Sequence, residues 1–317
     1  MDDSIAIVLE TRDLVSGVCG ANDDNLKALS LSLGGKVAVK GNEVRMKGLD
    51  KTGIERFKTV MDDLITAVRE GDRPSPDYVH ALARTSLDKK NAGYFRDALI
   101  TIPNGFGKIF PKSSNQGEYI KAIKNYELCF AIGPAGTGKT FLAIAHALST
   151  VLSKKMRKLV LTRPVVESGE SLGYLPGDLE QKINPYLRPL YDAMESLVPY
   201  EIIRRLEENR IIEIAPLAYM RGRSFNDSFI ILDEAQNTTK EQMKMFLTRL
   251  GSSARAVITG DITQIDLPKR IESGLLNAVS VLSDVDGVNI SYLHTQDVVR
   301  NPLVKRIIEA YNNEKEK

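Results

Sequence analysis

"GPAGTGKT", Gly133 to Thr140, follows the apolar run Leu128 to Ile132 and precedes "FLAIAHALSTVL". It fits G-x-x-x-x-G-K-[ST] at each fixed position, and a strand before with a helix after is the setting this pattern requires. Gly133, Gly136 and Gly138 let the backbone curl so that successive N–H groups face one anion. Pro134, Ala135 and Thr137 complete the loop, and the next helix turns its positive end toward the same place. Lys139 is expected to reach the β and γ phosphates of a nucleotide, and the Thr140 hydroxyl to ligate Mg²⁺. A glycine-rich turn with no ligand is the plainer alternative, and the satisfied context weighs against it.

Outward from that loop the chain alternates strand and helix, the mark of an α/β fold with a central, mostly parallel sheet. Six candidate strands are "ELCFAIG", "KLVLT", "IIEIA", "FIILD", "RAVITG" and "VNISYL". The fourth runs into "DEAQN", so Asp233 and Glu234 stand together at a strand end. Ionised carboxylates there are costly unless something positive meets them. Beside a phosphate loop, the first acid is expected to hold the metal and the second to act as general base toward water. Without the loop, a solvated strand end would be the simpler reading. The fifth strand leads into "GDITQ", where Gln264 is placed to orient water or to respond to the γ-phosphate.

Upstream, Gln116 opens a short helix before the loop strand, and its amide offers both a donor and an acceptor to adenine. A surface residue at a helix start explains it equally well. The stretch "LTRPVVESGESLGYLPGDLEQKINPYLRPLYDAM" is dense in Gly, Pro and charge. Long irregular segments in compact domains are usually functional or mobile. Within it Arg163 and Arg188 could touch phosphate, and Glu167 and Glu170 argue against a simple basic groove. Arg221, Arg223 and Arg300 are each candidates for a γ-phosphate finger or a backbone contact, although an ion-paired surface residue is the commoner role. His80, His146 and His294 show no metal spacing.

The chain has 317 residues and a net charge of +2, which implies no polyanion partner. Residues 1–72 carry 10 Lys/Arg against 13 Asp/Glu, and the remainder is mildly basic. This first part reads as a small α+β unit. It has a strand "IAIVLE", a helix within "GANDDNLKALSLSLG" capped near Asn22 or Asp23, a hairpin turning at Gly41-Asn42, and an amphipathic helix "GIERFKTVMDDLITAVREG". Pro74 and Pro76 mark a linker. Two distant cysteines, Cys19 and Cys129, make neither a disulfide framework nor a zinc site. The N-terminus does not read as a signal peptide, and no apolar stretch is long enough to span a bilayer. The expectation is a cytoplasmic protein with no membrane partner.

Taken in order, Gln116, "GPAGTGKT", "LTRPVVESGESLGYLPGD", "YLRPLYDAM", "APLAYMRGRSF", "ILDEAQNTT", "QMKMFLTRLG", "VITGDITQIDLP" and "DVVRNPLV" resemble the PhoH-like family of P-loop ATPases, over roughly residues 108–312. The core of that family is similar to the RecA-like core of superfamily 1 helicases. The resemblance implies base contact by Gln116, metal and water handling by Asp233 and Glu234, γ-phosphate sensing by Gln264, and a finger role for Arg300. It divides the chain into a small KH-like domain at 1–72, a connector at 73–107 and the ATPase core at 108–317. "GVCG", Gly17 to Gly20, matches a KH-type GXXG loop, without its usual basic residues. The expected function is Mg²⁺-dependent hydrolysis of ATP coupled to RNA. A lone core further implies a homo-oligomer, a ring such as a hexamer, that completes the site in trans. An ATP-dependent switch with little turnover is the runner-up. A kinase of a small metabolite is the third reading, and Asp-Glu followed by GDxxQ points to water as acceptor instead.

Overall fold

The computed structural model describes residues 4–85, 98–164, 179–268 and 270–299. Its contacts divide the chain into two compact units, Met1–Leu99 with Phe110–Gly117, and Ile100–Ile109 with Glu118–Lys317.

The first unit contains β1 (Ser4–Val8), α1 (Arg12–Cys19), α2 (Asp24–Leu33), β2 (Lys36–Lys40), β3 (Glu43–Lys47), α3 (Lys51–Arg69) and α4 (Pro76–Thr85). Its antiparallel sheet has the order β1-β3-β2. Lys40 pairs with Glu43, so the hairpin turns on Gly41-Asn42 as the sequence suggests, with Gly41 left-handed at φ 65°. Helix α3 buries Phe57, Val60, Met61 and Leu64 on one stripe.

Three details depart from the sequence reading. Helix α1 was not anticipated; it is short, and the Thr11 hydroxyl caps it by accepting the Leu14 N–H at 3.2 Å. Helix α2 lacks the expected side-chain cap, because Asn22 and Asp23 enter it in left-handed conformations. The "GVCG" stretch closes α1 rather than forming an open loop. Val18 and Cys19 are buried, and a Cβ on Gly17 would lie 2.6 Å from Val68 Cγ1. Close approach of α1 to α3 therefore accounts for Gly17, and the side chains between the two glycines face the core, not a polynucleotide. Within the stretch read as a connector, α4 packs on α2 and α3, and the Asn25 amide donates to Pro74 O at 3.0 Å.

The second unit opens with a small hairpin, β4 (Ile100–Ile102) and β5 (Gly107–Ile109). Helix α5 (Ser114–Asn125), whose residues through Gly117 belong to the first unit, leads to β6 (Leu128–Ile132), α6 (Lys139–Leu152), β7 (Lys158–Arg163), α7 (Leu179–Glu195), α8 (Tyr200–Glu208) and β8 (Ile212–Pro216). Then follow β9 (Ser228–Leu232), α9 (Lys240–Leu247), β10 (Arg255–Gly260), α10 (Gly274–Leu282) and β11 (Val288–Tyr292). All six candidate strands lie in one sheet, ordered β11-β6-β10-β9-β7-β8, with every pairing parallel. Strands β6 and β9 are buried at all five positions, the signature of a sheet covered on both faces. This is a RecA-like arrangement. Strand β10 lies between β6, which feeds the glycine loop, and β9, which ends at Asp233. Among the described residues no helix is long and apolar enough to cross a membrane.

Candidate nucleotide site

The site lies at the carboxyl ends of β6, β9 and β10, where open parallel sheets bind ligands. Helix α6 begins at Lys139, and Gly136 and Gly138 are left-handed at φ 83° and 84°. Gly133 serves a different need. A Cβ there would lie 2.3 Å from the carbonyl oxygen of Leu293, whose N–H is tied to Ile132 O at 2.8 Å. So one of the three glycines answers close backbone packing rather than the curl of the loop.

The Thr140 hydroxyl donates to Asp233 Oδ1 at 2.6 Å, and the Thr259 hydroxyl from β10 donates to the same atom at 2.6 Å. Three hard oxygens thus converge, one of them anionic. That set fits Mg²⁺, which binds through one or two carboxylates and fills its remaining positions with phosphate and water oxygens. Among the described residues no three His, Cys, Asp or Glu side chains are grouped to hold a metal unaided.

Lys139 is mostly buried, and its ammonium donates to Gly133 O at 2.7 Å and Pro134 O at 2.9 Å. Burial pushes its pKa down, opposed by the charges of Asp261, Asp233 and Glu234. The Tyr119 hydroxyl donates to Lys139 O at 3.0 Å and braces the first turn of α6. Asp261 Oδ2 accepts the Ala135 N–H at 3.1 Å, so a carboxylate already engages one donor of the loop. Gln264 is exposed and shares with Lys139, Thr140, Asp233 and Glu234 the lining of a cleft of about 250 Å³.

Glu234 adopts a left-handed backbone at φ 53°, which is uncommon for a residue with a side chain and tends to cluster at functional sites. Arg163, the last residue of β7, donates from Nη2 to Glu234 Oε1 at 2.8 Å. Gln236, fully buried, donates to Glu234 Oε2 and accepts the Asp261 N–H on its own Oε1 at 3.0 Å. Asn237 Oδ1 accepts the Asp266 N–H at 2.8 Å. The "AQN" after Asp-Glu thus ties one strand end to the loop carrying Gln264. Thr259, Gln236, Asn237 and the Arg163–Glu234 pair escaped sequence reasoning. The available signal was polar residues in a row directly after buried strands.

Other candidates fall elsewhere. Gln116 belongs to the first unit; it is buried, and its Oε1 accepts the Lys112 N–H at 2.6 Å. Arg188 pairs with Asp192 and Glu195 along α7. Arg223 chelates Glu213, which Lys158 also meets. Arg223 is therefore committed to an ion pair at the start of β8 and is not at the phosphate loop. His146 is buried edge-on to Phe229, and burial pushes its pKa down to about 4. Arg300, Glu167 and Glu170 lie outside the described residues. Val299, immediately before Arg300, donates its N–H to Gly136 O of the loop at 2.9 Å.

A family model described as PhoH-like protein matches residues 108–312. The chain belongs to the PhoH-like protein family. A PhoH-like protein of Mycobacterium tuberculosis (strain H37Rv) is 47% identical over 300 residues, covering 94% of this chain and 85% of the relative. One from Bacillus subtilis (strain 168) is 44% identical over 311 residues, covering 96% of each. The alignment with the Bacillus relative runs through both units, so the small first unit accompanies the PhoH-like core there too. The Pif1 helicase of Candida albicans is a weaker structural neighbour, at TM-score 0.32 and 15% identity over 63% of this chain and 42% of that one. The PhoH-like family is one of P-loop ATPases, which agrees with the loop, the Asp-Glu strand end and the parallel sheet described above.

Proposed function

We propose that this PhoH-like chain hydrolyses ATP to ADP and phosphate in a Mg²⁺-dependent reaction coupled to RNA binding or remodelling. The observation that carries the hydrolytic part is the gathering of Lys139, Thr140, Asp233, Glu234 and Gln264 around one cleft. The loop from Gly133 to Thr140 holds the phosphates, and Lys139 leaves its two carbonyl partners to meet them. Thr140 and Asp233 hold the metal, which when bound neutralises phosphate charge. Glu234 takes the proton of the attacking water, and Gln264 orients that water.

The RNA coupling follows from the resemblance of the core to superfamily 1 helicases, and helicase-like unwinding is its extension. A homo-oligomer, such as a hexameric ring, would let Arg300 or Arg221 serve a neighbouring site in trans. A second reading, an ATP-dependent switch with little intrinsic turnover, draws support from Glu234, since both of its oxygens are already engaged.

Phosphate release from ATP, with and without single-stranded RNA, tests the proposal on the parent and on Glu234→Gln. Turnover that RNA stimulates, and that Glu234→Gln loses while still binding ATP, is the expected result. A parent rate that Glu234→Gln leaves unchanged would remove Glu234 as the base.

A further inference from the structure

A second cleft, of about 570 Å³, lies at the opposite edge of the parallel sheet from the phosphate loop, where β7, β8 and β9 begin. Arg157, Lys158, Arg210 and Arg223 line it, and among the described residues no carboxylate does. Glu213 is taken up by Arg223 and Lys158 together. Asp227, just before β9, is exposed. Glu207 and Glu208, at the end of α8, are engaged by the Tyr191 hydroxyl and by Arg204. Set against Glu213 and Asp227, the four cations still leave an excess of two positive charges.

Two of these cations are uncommitted. Among the described residues neither Arg157 nor Arg210 has an ion-pair partner. Their backbones are nonetheless fixed, since the Arg157 N–H donates to Asp227 O at 2.9 Å and the Arg210 N–H to Glu207 O at 2.8 Å. The Leu159 N–H donates to Ile211 O at 2.8 Å, so the two arginines stand at the entries of neighbouring strands. Like charges on neighbouring strands repel, and an anion between them removes that cost. The other two cations are oriented in advance. Arg223 lies over the Phe225 ring at 5.0 Å while it chelates Glu213. A guanidinium has five N–H donors and an ammonium three, so Arg223 and Lys158 keep donors beyond those that Glu213 accepts.

The lining also decides the class of ligand. Sites for small molecules are mostly apolar with a few placed polar groups, and this cleft is the reverse. Among the described residues that line it, Phe225 is the only aromatic, and it is buried beneath Arg223. No ring face is therefore open for a base to stack on. Cations without a stacking surface suit phosphate oxygens rather than bases. The size of the cleft, in the range that holds one medium-sized ligand, admits a strand and not a duplex. We infer that this cleft holds the phosphodiester backbone of a single-stranded nucleic acid, without sequence preference. The inference rests on the coupling to RNA proposed above and gives it a place on the molecule away from ATP. Strands β7 and β9 run from the cleft to Arg163 and Asp233, so both sites lie on one sheet.

The test is fluorescence anisotropy of labelled oligouridylate and oligoadenylate, without ATP. It compares the parent, Arg157→Ala/Arg210→Ala and a charge-matched control, Lys36→Ala/Lys40→Ala, whose lysines are exposed on β2 of the first unit. Loss of the two arginines should weaken binding of both oligonucleotides about tenfold or more at about 0.1 M salt. The slope of log affinity against log salt should lessen by about 1.4, at about 0.7 per phosphate contact. The control should stay within about twofold of the parent. Both arginines are exposed, so the variant should keep the parent's thermal midpoint and ATP affinity. Parent binding that the arginine pair leaves unchanged, or that the lysine pair lowers equally, would overturn the cleft alone. Loss confined to one of the two oligonucleotides would mean base contact and overturn the backbone reading. A parent that binds neither oligonucleotide, even where it takes up inorganic polyphosphate titrated in parallel, would overturn the RNA coupling and the inference together.

Discussion

Thr140 and Asp233, 93 residues apart in the chain, meet at 2.6 Å through a hydroxyl and a carboxylate oxygen. The hydroxyl belongs to the first turn of α6, the carboxylate to the residue after β9. Strand β10 separates their parent strands and contributes the Thr259 hydroxyl to the same oxygen. A hard, singly anionic oxygen set at the mouth of a phosphate loop suits Mg²⁺ and gives softer metals little to bind.

Asp233→Asn keeps the shape of that set and removes its charge. ATP binding should lose most of its dependence on Mg²⁺, and turnover should fall on the order of 10²-fold. Titration of a fluorescent ATP analogue with and without Mg²⁺ reads the first effect independently of activity. An Mg²⁺ dependence equal to the parent's would place the metal on other residues.

Gly133→Ala tests the close backbone approach. Its Cβ would stand 2.3 Å from Leu293 O, a backbone atom that cannot rotate away. Overpacking of this kind costs about 1–3 kcal/mol. Thermal unfolding should show a midpoint several degrees lower, and an unchanged midpoint would mean that β11 can shift freely against β6.

Glu213 predicts an acid-sensitive contribution to stability. Hydrogen bonding to Arg223, with Lys158 adding to it, holds its pKa down at about 2 from the usual 4.5. A carboxyl depressed by folding stabilises fully above about pH 4.5 and loses that stabilisation as pH falls toward 2. Glu213→Gln should therefore cost about 1–2 kcal/mol at neutral pH. The gap from the parent should close between pH 4.5 and 2. Denaturant melts across that range check it, and a gap independent of pH would contradict the assignment.

The cysteines are expected to be inert in the folded protein. Burial pushes the Cys129 thiol up to about 12 and raises that of Cys19 as well. Both are free and buried, so neither supplies thiolate or access near pH 8. A thiol reagent should label neither within minutes in buffer and both in denaturant. Rapid labelling of Cys129 without denaturant would mean that β6 opens locally.

How much of this was legible beforehand depends on the range of the interaction concerned. The inner strands of the core were readable because they are nearly continuous apolar runs, the pattern of a sheet buried on both faces, and the edge strands β8 and β11 because their apolar residues alternate with polar ones. The hairpin at Gly41-Asn42 and the helix Lys51–Arg69 were readable because a two-residue turn and a helical stripe are complete within one short window. Helix Arg12–Cys19 has only eight residues and too few periods to stand out. The burial of "GVCG" could not be foreseen either, since it depends on Val68 of a helix about fifty residues later.

By itself, the sequence determined the fold class and the place of the phosphate loop, and it showed Asp233 and Glu234 directly after an apolar strand, with Gln264 in the loop after another. These are encoded in residue type and local spacing. Tertiary structure alone decided that β10 lies between β6 and β9, that Thr259 joins Thr140 on Asp233, and that Gln236 bridges Glu234 to Asp261. It also decided that Arg163 meets Glu234, 71 residues away, while Arg223 pairs with Glu213. Except for the Arg223–Glu213 pair, which lies ten residues apart, these contacts join groups brought together by the order of parallel strands. That order is set by how crossover helices pack on the two faces of the sheet, and no local pattern in the chain records it.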